Sequence, residues 1–215
     1  MKKLMNSLLV AAALLVSGAA LAAAELGKDY QLLNPAQPTS TKKIEVLEFF
    51  FYQCGHCFHL HPKLSAWEKT MPKDVELIFV PTMFSDATEP LARTFYAIEG
   101  TEKFKQLDDA IYQGIHVGNA NLFDLDSISA FLATRGVDRN KFAAAYNSFS
   151  VQSKVARAKQ MIRTYGIQGT PTLIVDGKYV ITGLQPDDTI RVLNDVIARA
   201  RKEHAAAGGK PAKAK

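Results

Sequence analysis

The chain of 215 residues is poor in cysteine, with two, and it holds a single tryptophan. Two cysteines exclude the disulfide scaffold on which small exported domains rely. No internal repeat is visible, which excludes a solenoid or propeller. Low-complexity sequence is confined to the two ends. The formal net charge of +5 is also less than it first suggests. Two lysines lie in the first three residues, and Arg199, Arg201, Lys202, Lys210, Lys213 and Lys215 crowd the C-terminus. Between Ala23 and Ala198 there remain 18 basic and 20 acidic residues, a body near −2. No aromatic residues interleave with the basic tail, so the footprint of a nucleic-acid binder is missing.

What is present begins with an address. Lys2 and Lys3 precede the apolar run Leu8–Val16, and small residues follow from Gly18 to Ala24. This is the pattern of a secretory signal peptide over 1–22, with Ala20 and Ala22 meeting the small-residue requirement for cleavage after Ala22. The alternative is a membrane anchor, since Leu4–Ala24 reaches the roughly 20 residues a span needs; the alanine-rich end favours cleavage. Cleavage leaves 193 residues of soluble, exported protein, enough for one core or a domain with an insertion. The Ala/Gly/Lys/Pro segment 205–215 is expected to be a disordered basic tail.

Periodicity then orders the elements. Tyr30–Leu33 is a short candidate strand. Ile44–Phe51 is nearly all apolar and reads as a central strand covered on both faces, and Val75–Val80 as a second buried strand. Between them Leu60, Leu64 and Trp67 keep helical spacing, so the first half is a βαβ unit. From Ser85 to Gly166 every stripe is helical: Leu91, Phe95 and Ile98; Phe104, Leu107 and Ile111; Ile128, Phe131 and Leu132 behind a cap at Asp126; Phe142, Tyr146 and Phe149 behind a cap at Asp138; and Val151, Val155, Ala158, Ile162 and Tyr165. Thr172–Val175 and Tyr179–Ile181 flank the turn Asp176-Gly177, a hairpin signal, and Pro186 opens a last helix carrying Ile190, Leu193, Val196 and Ile197. The expected architecture is α/β, a thioredoxin-like fold formed by 23–84 and 167–204 around an inserted all-helical domain at 85–166.

The two cysteines are three positions apart, Cys54-Gly55-His56-Cys57, where a strand becomes a helix. A bridge closing so small a loop contributes roughly 2 kcal/mol against ~3 for a fifteen-residue loop, a weak structural reason to keep it. Chemistry is the better reason. At a helix N-terminus the unpaired N–H groups and the dipole favour an anion, so Cys54 should be an activated thiolate. Cys57, almost a turn further in, should be the shielded, resolving thiol, and a protonated His56 would add positive charge beside Cys54. If the Cys54 pKa fell to about 4, the reduced form would gain ~4 kcal/mol at pH 7, or roughly 90 mV towards an oxidant. His59 and His61 invite a zinc reading with the cysteines, but a structural site draws ligands from two separated segments and no second cluster exists. No metal is expected, with His59 and His61 as surface residues and His116 as a loop histidine.

Phe49-Phe50-Phe51-Tyr52-Gln53-Cys54-Gly55-His56-Cys57, the distant Gly169-Thr170-Pro171-Thr172 and the helical block between them resemble the DsbA family of periplasmic disulfide oxidoreductases. The resemblance covers essentially the whole chain after the signal. It implies a cis bond before Pro171, facing the cysteines, where the bare residues leave an ordinary trans proline open. It implies that the Thr170 backbone pairs with an extended substrate peptide, and that Glu48, six residues before Cys54, modulates the proton of the buried cysteine. It further implies a soluble periplasmic oxidase, read here as a monomer, that needs no cofactor beyond the Cys54–Cys57 disulfide. That enzyme would act on reduced exported proteins and be recharged by a membrane quinone-linked, DsbB-like partner. An isomerase or reductase of the same fold and a periplasmic metal chaperone are the competing readings. Two departures stand out: Gly-His replaces the family's familiar Pro-His between the cysteines, and Val75–Met83 lacks the basic residue some members set near the buried acid. Both point to a milder oxidant.

Overall fold

The computed structural model describes residues 23–206 and Gly208; the expected signal peptide and most of the expected tail lie outside them. Five strands form one sheet: β1 Gln31–Leu32, β2 Ile44–Phe50, β3 Val75–Pro81, β4 Thr172–Val175 and β5 Tyr179–Thr182. Their spatial order is β1-β5-β4-β2-β3. Only β2 and β3 run parallel, joined through helix α1 (Gly55–Glu68); the other neighbours are antiparallel. All seven residues of β2 are buried, as expected of a strand with a layer on each face.

Between β3 and β4 the described chain is helical: a 3₁₀ turn at Asp86–Thr88, then α2 Glu89–Ile98, α3 Phe104–His116, α4 Leu125–Ala133, α5 Arg139–Tyr146 and α6 Phe149–Thr164. Helix α7, Pro186–Ala206, closes the chain and runs two residues into the segment expected to be disordered from 205. Two apolar cores face the helices and sheet around the site. Leu60, Leu64 and Trp67 of α1 pack with Val192, Leu193 and Val196 of α7 beneath the sheet. Phe50, Tyr52 and Cys57 instead pack with Phe95, Leu107 and Ile111 of the insertion.

Two expected helix details are corrected. The cap before Ile128 is Asp124, whose carboxylate accepts from the Ser127 N–H at 2.8 Å; Asp126 sits inside the first turn. Phe149 does not share the buried face of Phe142 and Tyr146. The Asp138-capped helix stops at Tyr146, Ser148 caps a new one, and the register break leaves Phe149 84% exposed. The hairpin turn has positive φ at both Asp176 (53°) and Gly177 (63°), the geometry its sequence signals.

Candidate active site

Cys54 is the N-cap of α1, held there by extended backbone (φ −82°, ψ 118°). Its sulfur takes the place a cap side-chain oxygen usually fills and accepts from the Cys57 N–H at 3.5 Å. Across the cleft, Cys54 Sγ lies 3.3 Å from the Thr170 carbonyl oxygen. The Thr170–Pro171 bond is cis, and the Thr172 hydroxyl donates to the Gly169 carbonyl at 2.8 Å across the same loop. The loop, 116 residues away in sequence, thus presents its backbone to the half-buried sulfur. Cys57 is completely buried.

Both cysteines are free thiols here, and their environments differ sharply. The Cys57 thiol bonding to its sulfur, helped by Thr170 and by the N–H groups of Cys57 and His56, holds the Cys54 pKa down at about 5 against the opposing effect of burial. For Cys57 the same bond to Cys54 acts in reverse, and burial and the nearby Glu48 charge push its thiol further up. His56 therefore contributes a backbone donor, while its own side chain is turned to solvent.

Glu48 stands on β2 facing the same side as Val46 and Phe50 and is 3% exposed. Its neighbours in register are Phe79 on β3 and Leu173 on β4, so no base sits across from it on either strand. Burial, with the Asp108 charge adding to it, raises its pKa to about 8. The structure therefore brings Cys54, Cys57, Thr170, Pro171 and Glu48 together.

Three residues were misjudged or missed in the sequence. His61 is not a surface residue: its side chain is 13% exposed, with Nε2 2.6 Å from Asp109 and 3.7 Å from Asp108. His116 is not a loop residue either. It ends α3, donates from Nε2 to the Tyr52 carbonyl at 2.7 Å and stacks on Phe58 with centroids 4.7 Å apart. Asp108 was overlooked. It is buried and accepts a hydrogen bond from the Tyr52 hydroxyl. A charged residue lying one position out of the Leu107–Ile111 stripe was the available signal. Among the described residues no group of three or more His, Cys, Asp or Glu is arranged to hold a metal ion, and no helix is long and apolar enough to cross a membrane.

Comparison with known proteins agrees with this fold. The family model for the DSBA-like thioredoxin domain matches residues 59–193. The thiol:disulfide interchange protein DsbA of Burkholderia cepacia is 38% identical over 183 residues, covering 83% of this chain and 86% of that protein. Its counterpart in Bordetella parapertussis is 37% identical over 87% of this chain and 96% of that one. Among solved structures, Pseudomonas aeruginosa DsbA superposes with a TM-score of 0.79 at 30% identity, covering 85% of this chain and 97% of that one. Xylella fastidiosa DsbA gives 0.77 at 32% identity, with 83% and 98% covered. A capped, acidic Cys54 over a buried Cys57, on a thioredoxin-like fold with a helical insertion, places the chain in the DsbA family of thiol:disulfide oxidoreductases.

Proposed function

We propose that the protein is a periplasmic oxidase that passes its Cys54–Cys57 disulfide to reduced exported proteins. The observation that carries the direction of transfer is the asymmetry of the pair: a half-buried Cys54 whose pKa is about 5, and a wholly buried Cys57 pushed the other way. A thiolate stable at neutral pH favours the reduced enzyme and so makes the disulfide a good oxidant.

In the first step a substrate thiolate attacks Cys54 Sγ. The Cys54–Cys57 bond breaks, its electron pair goes to Cys57 Sγ, and a mixed disulfide joins substrate to Cys54. Glu48 gives its proton to the Cys57 sulfur, which burial would otherwise leave as a costly anion. A second substrate thiolate attacks the substrate sulfur of the mixed disulfide, and Cys54 leaves as the stable thiolate. The substrate has lost two electrons and gained a disulfide. The Thr170 backbone beside Cys54 is the edge along which an extended substrate peptide would lie. The enzyme's own disulfide is the whole redox group, with no cofactor. Recharging requires an external oxidant, for which a quinone-linked membrane protein is the fitting class. The basic, apolar and small-residue segments of 1–22 are the export signal that would deliver the chain to the periplasm.

The test is transfer from the oxidised protein to a reduced, unfolded two-cysteine peptide, with alkylation and mass spectrometry reading both partners. The peptide should become oxidised in near-stoichiometric yield while the enzyme becomes a dithiol. An equilibrium lying towards reduced peptide would make the protein a reductase instead.

A further inference from the structure

Helix α3 carries a carboxylate into the apolar junction between the insertion and the redox helix. Asp108 is 7% exposed, and Tyr52, 1% exposed, donates its hydroxyl to it. Its other oxygen is 3.7 Å from Nε2 of His61, one turn along α1 from Cys57. Tyr112, also on α3, has its ring 4.8 Å from Tyr52 and 4.6 Å from His61. A group needed only to accept from Tyr52 would be cheaper to bury as a neutral amide.

We propose that Asp108 is a positioning residue for proton transfer at Cys57, acting through Glu48, with Tyr52 and His61 fixing the place of its carboxylate. The inference rests on Glu48 being the proton donor of the oxidase reading. Glu48 is coupled by charge to Cys57 on α1 and to Asp108 and Tyr112 on α3, and its sheet neighbours are the apolar Phe79 and Leu173. Burial pushes the Asp108 carboxyl above its ordinary range, as does the neighbouring Asp109, while His61 and the Tyr52 hydroxyl pull it back down. Burial already disfavours an ionised Glu48, and a negative charge at Asp108 adds to that cost, so Glu48 keeps its proton near neutral pH. That proton is then available when the Cys54–Cys57 bond breaks: it moves from the Glu48 carboxyl to Cys57 Sγ, and solvent later returns one to Glu48. The helical insertion in this way takes part in chemistry at cysteines it does not contain.

The experiment follows the Glu48 carboxyl carbon by NMR in oxidised, ¹³C-glutamate-labelled protein, with assignment by Glu48→Gln. The wild type should titrate near 8. Asp108→Asn keeps an acceptor for Tyr52 and removes the charge; the midpoint should fall by about half a pH unit or more. The alkaline limb of the pH–rate profile for peptide oxidation should move with it, and Asp108→Glu should restore both. Asp108→Ser, which leaves room for water at Tyr52, is the second neutral variant should the amide not fold. An unmoved midpoint in a folded neutral variant overturns the role of Asp108 and leaves the oxidase reading standing. A midpoint that moves while the rate profile does not overturns Glu48 as donor, and the inference with it. Wild-type protein that fails to oxidise the peptide at all overturns the oxidase reading itself.

Discussion

The depressed Cys54 pKa implies a stability gap between the two redox forms that depends on pH. Cys54 falls from its ordinary 9.0 to about 5 in the fold. Because the folded value is depressed, its stabilisation is present in full above pH 9 and is lost as pH falls through 5. At pH 7 the two units involved correspond to about 2.7 kcal/mol. Cys54 is only half-buried, and solvent screening reduces this to roughly 1–2 kcal/mol, equivalent to about 20–45 mV. That is a milder oxidant than the roughly 90 mV expected from a pKa near 4. Opposing it, the disulfide constrains the unfolded oxidised chain by roughly 2 kcal/mol, a contribution that does not vary with pH. The sign of the gap at one pH is therefore less informative than its slope. Between pH 5 and 7 the reduced form should gain about 1–2 kcal/mol relative to the oxidised form. Urea denaturation of both forms across this range, in wild type and in Glu48→Gln to silence the buried acid, measures the slope directly. A gap that stays flat between pH 5 and 7 would refute the claim that Cys54 is a stabilised thiolate, and with it the case for an oxidant.

The buried acid has the opposite pH signature. With its folded pKa raised from 4.5 to about 8, the native state is fully stable against ionisation of Glu48 only below pH 4.5 and weakens as pH rises towards 8. Glu48→Gln should therefore leave stability near pH 4.5 little changed and add up to about 3 kcal/mol at pH 7, read by urea midpoints at the two values. Gly55→Pro should stabilise the fold by about 0.4–1 kcal/mol in thermal melts. Position 55 opens α1, nothing lies within 4 Å of its would-be Cβ, and Cys54 before it is already extended. Gly177→Ala should cost about 2 kcal/mol or more by the same assay, because φ is +63° and a Cβ would stand 2.0 Å from the Gln37 carbonyl oxygen. Cys57→Ala should trap mixed disulfides with exported proteins on non-reducing gels while Cys54→Ala traps few; equal trapping would reverse nucleophile and resolver.

The redox pair was legible because its signal is local. A strand of seven buried residues, a three-residue turn, a cap position and a helix follow one another, and Cys54 falls on the cap whatever the rest of the chain does. Glu48 was legible for a related reason: strand alternation sets it between Val46 and Phe50, and an acid on an apolar face announces itself. Periodicity also found the stripes of the insertion, yet it misplaced Phe149, because a two-residue interruption at Asn147-Ser148 resets a helical register without disturbing the apolar count. Asp108 shows in the sequence only as a charge beside the Leu107–Ile111 stripe, and the partners of His61 and His116 lie beyond such reading. Asp108 reaches Tyr52 across 56 residues and His116 across 64, and these contacts exist only because α3 docks on α1 at one particular rotation. On α3, Asp108 and Tyr112 are four residues apart, as are Cys57 and His61 on α1, so each helix offers two polar groups on one face to the other. The same docking that gives Cys57 its apolar roof therefore necessarily buries titratable groups beside it. Covering a thiol with a separate helical layer and tuning its proton are one structural event in this protein, which is why changes in α3 should be felt in the chemistry of a cysteine on α1.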